Sequence, residues 1–371
     1  ILFNLFRPFP LIFGDRIALV FGTKFIDFLL LAFALKNGVL AQRILYLVLA
    51  FYGGLALVLL GAAANGMPAS NVASLDAVWE ILRYGVCGVF AASVFGRPCS
   101  DEENRQKLVI DCIRWTIMLS ILFILLRTSF LSELTDYFFW SGKFKTYGEF
   151  FRVFPFTPNP TWAALLLLTT LIYYREMRRG SLWVTLGFLC LIVATGSRTA
   201  LVATAVYYLC TLRVFWAAFV ISLVLLLAAY TQSAFNWMPY HMREFFVFIF
   251  AGFDVKTLTS FSTRLDIWAE IWPQLQQNLL FGVGPLSTTV KVLDNQYLIW
   301  TLYYGVAGLL LLLAYFFMLF FWVPVKHYGV PGGFAAKMLL TVGVASMAGQ
   351  FFMYTQLMFA CSLYLGAVKQ R

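Results

Sequence analysis

The 371 residues are 61% hydrophobic and only 12% charged, a composition that excludes a soluble globular protein of this length. Their mean hydropathy of +0.82 and repeated apolar stretches of about 20 residues predict membrane-spanning helices instead. The formal charge of +10 sits mostly in short loops on one side, where it marks topology and argues against nucleic acid as a partner.

The chain opens on Ile1 rather than Met, so residues before it are expected, and Ile1 to Phe13 read as the tail of a first spanning helix. Complete spans are predicted at about 16–35, 42–62, 76–97, 107–130, 160–175, 181–196, 198–212, 214–232, 295–322, 337–353 and 355–368. The predicted fold is an all-α polytopic membrane protein with about 11–12 transmembrane helices, a single bundle over 1–371 with no soluble domain. Loops carrying Lys36, Arg43, Arg97, Arg178, Lys326 and Lys337 alternate with loops that carry no lysine or arginine, 63–75 and 353–357. The basic set is therefore expected on the cytoplasmic side. The six cysteines fall in spans or on that side and read as small packing residues, with no disulfide expected.

Two segments of the opposite, outer face are too long to be connectors: 131–159 and about 233–294. Ordered loops of that length carry function or cover it. Within the second, Ser262 to Gln277 has helical character. Ser262 or Thr263 can cap its start, and Leu265, Trp268, Ile271, Trp272 and Leu275 recur at helical spacing. This predicts an amphipathic helix at the membrane surface, bent or shortened by Pro273 and ended by Gly282-Val-Gly284-Pro285.

Two arginines at the outer face are the principal candidates for chemistry. Arg264 falls in the first turn of the amphipathic helix, where free N–H groups and the helix dipole favour an anion and disfavour a bare cation. Arg198 lies in Thr195-Gly-Ser-Arg-Thr199, a turn between two spans, where Ser197 gives a phosphate a hydroxyl-rich approach. A guanidinium keeps its charge and matches phosphate oxygens with a planar fork. Arg152 and Asn159, the latter in Pro158-Asn-Pro160, stand on the same face. Asp294 opens the following span and can take a proton from a sugar hydroxyl, with Asn295 and Tyr297 beside it for sugar-directed hydrogen bonds. Asp266, Glu270 and His241 are further candidates for the base. Outer histidines and clustered carboxylates are too few for a metal site, and neither metal nor cofactor is expected. The alternative for each residue is bland: headgroup anchors for the arginines, a helix cap for Asp294. Lys24 with Asp27 and Asp111 with Arg114 are charges at one-turn spacing, read as helix pairs or, in a competing reading, as the path of a secondary transporter.

No P-loop is present and the cytoplasmic loops are too short for a nucleotide-binding fold. The donor of a group-transfer reaction would have to arrive in the membrane already activated. A lipid-linked pyrophosphate sugar meets that condition, with arginines stabilising the departing pyrophosphate.

With these residues in hand, the chain resembles the bacterial O-antigen polymerase and ligase superfamily. The resemblance rests on Thr195-Gly-Ser-Arg-Thr-Ala200, on Arg264-Leu-Asp-Ile-Trp268 followed by Phe281-Gly-Val-Gly284, and on Asp294-Asn-Gln-Tyr-Leu298 with Gly305 and Gly308 as close-packing small residues. The stretch from Arg152 to Asn159 also looks like a loop of the family. The resemblance implies a metal-independent, inverting glycosyltransferase of the bacterial inner membrane, acting at the periplasmic face. Its donor and acceptor would be glycans linked to undecaprenyl pyrophosphate, and a chain-length regulator is a further candidate partner. Arg198 and Arg264 would grip the pyrophosphate. Ligases of the superfamily place an essential histidine near the end of the large loop, where this chain reads Val292-Leu-Asp-Asn295. That departure favours a polymerase over a ligase that attaches glycan to lipid A core or protein. The base stays open among Asp294, Asp266, Glu270 and His241.

Overall fold

The computed structural model describes residues 31–32, 35–36, 40–67, 75–96, 111, 114, 118, 160–178, 182–195, 197–211, 259–285, 295–349, 351–352 and 355–368. Those residues form helices and connecting turns, with no strand among them: α1 (Gln42–Ala64), α2 (Leu75–Gly96), α3 (Pro160–Arg178), α4 (Leu182–Ala194), α5 (Arg198–Thr211), α6 (Thr259–Gln277), α7 (Gln296–Phe317), α8 (Val323–Tyr328), α9 (Gly332–Ala345) and α10 (Thr355–Ala367). A π-helical turn, Met318–Trp322, joins α7 to α8 without a break. The protein is an all-α polytopic membrane protein. Three helical stretches among the described residues are long and apolar enough to cross a bilayer: Gln42–Ala64, Val78–Gly96 and Gln296–Tyr328.

The helices α1 to α5 and α10 fall within three residues of the expected spans. The expected span 337–353 instead runs over Gly332–Ala345 and ends in a 3-10 turn at Ser346–Ala348. Pro331 caps its start, a place where a missing N–H is harmless, so the Pro-Gly-Gly sequence opens this helix rather than delaying it. The expected spans 16–35, 107–130 and 214–232 lie largely outside the described residues. Asp111 and Arg114 do pair, at 3.6 Å and one helical turn apart.

Contacts between helices fix which helix ends share a face of the bundle. At one end, which we call the basic end, Arg43 at the start of α1 bonds His327 of α8, and the Lys337 ammonium of α9 meets Glu176 near the end of α3 at 2.8 Å. Ala41 N–H donates to Ala92 O near the end of α2 at 2.9 Å. At the opposite, far end, the starts of α3 and α5 are tied by Ser197 and Thr161. The end of α1 lies there too, its Gly61 closely packed under the Phe281 ring. An aromatic core runs between the two ends. Tyr315 donates its hydroxyl to Tyr84 O at 2.8 Å, and the Trp300 indole donates to the Tyr84 hydroxyl at 2.7 Å.

The expected span 295–322 is not one rod. Gly305 has φ 66 and ψ −173, a conformation essentially confined to glycine. In a straight helix Trp300 and Phe316 would lie about 24 Å apart, yet their rings stack with centroids at 5.8 Å. The helix therefore folds back sharply at Gly305, leaving a half-helix, α7a (296–304), and a longer arm that runs from 306 through α8 to the basic end. That arm has enough length, about 34 Å, to cross the membrane by itself.

The broken backbone is repaired by another part of the chain. In a continuous helix the N–H groups of Val306 and Ala307 would bond to the carbonyls of Leu302 and Tyr303. Here Val306 N–H donates to Leu279 O at 2.8 Å and Ala307 N–H to Leu280 O at 3.1 Å. The freed carbonyls of Leu302 and Tyr303 accept from Val283 N–H at 2.8 Å and Gly284 N–H at 3.1 Å. All four groups are satisfied, as an apolar environment requires. The approach is so close that a Cβ on Gly305 would stand 2.2 Å from the Leu280 carbonyl, and one on Gly282 (φ 75) 2.5 Å from Gly305 N. Gly305 was expected to be a close-packing small residue; it is the corner itself, and Gly308 makes room for Tyr304 beside it.

Candidate active site

The corner sets the position of α6. Its Ile271 and Leu275 are buried against Ile299 and Leu302 of α7a, with Ile267, Trp268, Leu298 and Tyr303 around them. The residues just after α6 are bonded to the corner, and this cluster extends back from it. The two helices thus run side by side toward the corner, and their starts lie together at the other end of the pair. The face expected to lie on the membrane is largely taken up by α7a; Trp272 and Leu265 remain outward, 56% and 39% exposed.

Arg264 is the sixth residue of α6, because the helix begins at Thr259 rather than at Ser262. The expected first-turn position, beside free N–H groups, is therefore corrected: Thr259 and Ser260 extend the helix by nearly a turn. Its position is in register with Trp268, Ile271 and Leu275, on the α7a side. Asp266 and Glu270 occupy another face and are exposed. The helix continues through Pro273 to Gln277.

Arg198 opens α5 directly after a tightly bonded turn. The Ser197 hydroxyl caps the helix by accepting from Ala200 N–H at 3.3 Å and donates to Thr161 Oγ1 at 3.0 Å. Thr195 Oγ1 accepts from Ser197 N–H at 3.3 Å and donates to Ile192 O at 2.6 Å. Ser197 is buried with its hydroxyl engaged on both sides, which fits a positioning role for the turn better than direct contact with a phosphate.

At the start of α7a, Asn295 uses its side-chain oxygen as a helix cap, accepting from Tyr297 N–H at 3.0 Å and Leu298 N–H at 3.2 Å. Tyr297 donates its hydroxyl to Gly343 O near the end of α9 at 2.6 Å. This anchor ties the start of α7a to α9, which packs along both α3 and α5. The start of α7a and the Arg264 region of α6 thus lie on the side of their pair away from the corner, while α5 starts at the far end beside α3. Arg152, Asn159, His241 and Asp294 lie outside the described residues; Asp294 immediately precedes Asn295 in the chain.

The sequence reading passed over Gln296. Its side chain is fully buried, and neither its amide nitrogen nor its carbonyl oxygen has a hydrogen-bond partner. An unmade bond at a buried polar atom costs about 1–3 kcal/mol, so this residue is unexplained by packing. Its polar type between Asn295 and Tyr297 was the only available signal.

Residues 183–313 match the family model described as O-antigen ligase. That segment is similar to the O-antigen polymerase and ligase superfamily and supports the resemblance carried by the motifs. The match begins in α4 and ends in α7, so it spans Arg198, Arg264, the Gly282–Gly305 corner and the start of α7a. Members of this superfamily are glycosyltransferase-like enzymes, and the match does not separate the polymerase branch from the ligase branch. A search of curated proteins returned no match.

The bonding at the start of α7a makes a direct prediction. Asn295→Ala loses both cap bonds and should lower stability by about 1 kcal/mol. Tyr297→Phe should cost about as much, with turnover reduced less than ten-fold, since its hydroxyl faces Gly343 rather than a sugar. Denaturation midpoints of the purified variants, with parallel rates, check both; a complete loss of turnover in folded Tyr297→Phe contradicts the anchoring role.

Proposed function

We propose that the protein is a polymerase that moves a growing glycan from one undecaprenyl pyrophosphate onto the terminal sugar of the next lipid-linked repeat unit. The product would be O-antigen, capsule or exopolysaccharide. An oxygen of the acceptor sugar attacks the anomeric carbon of the donor from the face opposite the pyrophosphate. The carbon–oxygen bond to pyrophosphate breaks, the lipid pyrophosphate leaves with the bonding pair, and the anomeric centre is inverted. Arg198 and Arg264 stabilise the charge that builds on the leaving group, without a metal or cofactor. The acceptor's proton passes to a carboxylate. Asp294 is favoured for that role by its place one residue before the α7a cap, whereas Asp266 and Glu270 are exposed on the other face of α6.

The observation that carries this reading is that the α5 start, the Arg264 region and the α7a start all fall inside the family segment, with α5 opening at the far end of the bundle. By the charge of its loops, that end would face the periplasm from the inner membrane. A chain-length regulator would be a further partner. The sequence Val292-Leu-Asp-Asn295, with no histidine, favours the polymerase over the ligase. Purified protein supplied with lipid-linked repeat units alone should convert them into a ladder of lengths. Glycan transfer that appears only after lipid A core or a protein acceptor is added would establish the ligase reading instead.

A further inference from the structure

The expected sugar-binding groups at the start of α7a are already engaged: the Asn295 side-chain oxygen holds the helix cap, and the Tyr297 hydroxyl holds Gly343 O. Between them lies Gln296, 0% exposed, with both polar atoms of its carboxamide unpartnered. Thr341, two residues before Gly343 on α9, is 1% exposed and also lacks a partner for its hydroxyl. Native interiors rarely keep such atoms unmatched, and the exceptions call for a ligand, a water or a functional role.

The type of group that is missing identifies the ligand's chemistry. A carboxamide offers two N–H donors and one carbonyl acceptor. A phosphate dianion can satisfy only the donors; it would leave the carbonyl facing negative charge. A hydroxyl both donates and accepts, and two hydroxyls on adjacent ring carbons can bond the amide nitrogen and oxygen together. The unmatched pair therefore fits a sugar ring rather than the pyrophosphate. Gln296 is also two residues from Asp294, at most about 7 Å along the backbone, so a ring held here has its hydroxyls within reach of the proposed base.

We infer that Gln296 binds the acceptor sugar, its carboxamide pairing with hydroxyls of the sugar ring. This rests on the glycosyl-transfer reading above. The side chain is enclosed, so surrounding groups part when the acceptor arrives. In that reading Arg198 and Arg264 hold the leaving group, while Gln296 selects and orients the nucleophile. A site built to hydrogen-bond a hydroxyl discriminates strongly against analogues that lack it, which makes Gln296 a determinant of which repeat unit is extended.

The test uses purified full-length protein and lipid-linked repeat units extracted from host membranes, with the rate of polymer formation measured against their concentration. Gln296→Met keeps the volume and removes both polar atoms. It should lower kcat/KM at least ten-fold, chiefly through KM, while the unfolding midpoint stays level or rises. Gln296→Glu provides both a donor and an acceptor only when protonated, so its activity relative to wild type should climb as pH falls. Wild-type kcat/KM in Gln296→Met, or a pH profile of Gln296→Glu parallel to wild type, overturns the inference. If Gln296→Met unfolds, the pH profile of Gln296→Glu decides. Arg198→Ala run alongside separates the two claims. Polymer lost in Arg198→Ala but kept in Gln296→Met removes only the sugar-binding role. A wild-type protein that makes no polymer from these units removes the polymerase reading, and this inference falls with it.

Discussion

Arg264→Ala and Arg198→Ala should each lower the rate of polymer formation by at least about 10²–10³-fold, the usual effect of removing one group that stabilises an oxyanion in a transition state. In the proposed reaction pyrophosphate would be expelled with its full charge at a membrane interface, where little water is available to solvate it, so fixed cations would contribute far more than in bulk solvent. Lysine at either position keeps the charge and loses the planar fork; partial recovery is expected, well below wild type. The variants should remain folded and in the membrane, because alanine is a good helix former and the Ser197 cap of α5 is retained. The measurement is the glycan ladder made by each variant at matched protein levels, with intrinsic fluorescence or thermal unfolding as the fold control. Headgroup anchors would behave differently: alanine variants would keep wild-type chain lengths, and lysine would restore everything. Full activity in both alanine variants would remove the pyrophosphate clamp from the mechanism.

The turn that presents Arg198 was legible in the sequence because its chemistry is local. Thr195 to Ser197 stand out as a polar break between two apolar runs, although Ser197, read as an approach for phosphate, instead caps α5. The spans of α1 to α5 were legible for the same reason, each being an apolar run with polar or glycine punctuation. The start of α6 was misread by three residues, since Thr259, Ser260, Ser262 and Thr263 all offer a capping hydroxyl and only packing against α7a selects among them.

The fold-back at Gly305 could not be read at all. The apolar pattern continues across it from Leu298 to Phe317, and a glycine in such a run reads equally well as a close-packing residue. Its partner, Leu279 to Gly284, acts through backbone N–H and C=O groups, which leave no side-chain periodicity to detect. Gln296 was hidden for a related reason: a polar residue near a helix start looks solvated until the tertiary fold encloses it.

That corner makes the second large prediction. Gly305→Ala forces a side chain into a backbone conformation that costs about 1–3 kcal/mol for any residue but glycine. The new Cβ would also stand 2.2 Å from the Leu280 carbonyl carbon and oxygen, an overlap that only a backbone shift relieves. Such a shift pulls apart some of the four hydrogen bonds between 279–284 and 302–307, so a total loss of about 3–6 kcal/mol is expected. Gly282→Ala meets the same corner from the other side, with φ 75 and backbone atoms at 2.5 Å, and should act alike. Gly53→Ala is the control: it lies inside α1 with nothing within 4 Å of its would-be Cβ, and alanine there should stabilise the helix by about 1 kcal/mol. Unfolding of the three purified variants measures the differences directly. The functional loss should exceed the structural one, because among the described residues α6 and α7a are held together by this corner and the small Ile271–Leu302 cluster. Even a variant that still folds would let the Arg264 helix move relative to the Asn295 cap, which on the proposed mechanism would separate the leaving-group site from the acceptor site. A folded Gly305→Ala with wild-type stability and polymer would mean that the chain does not turn there.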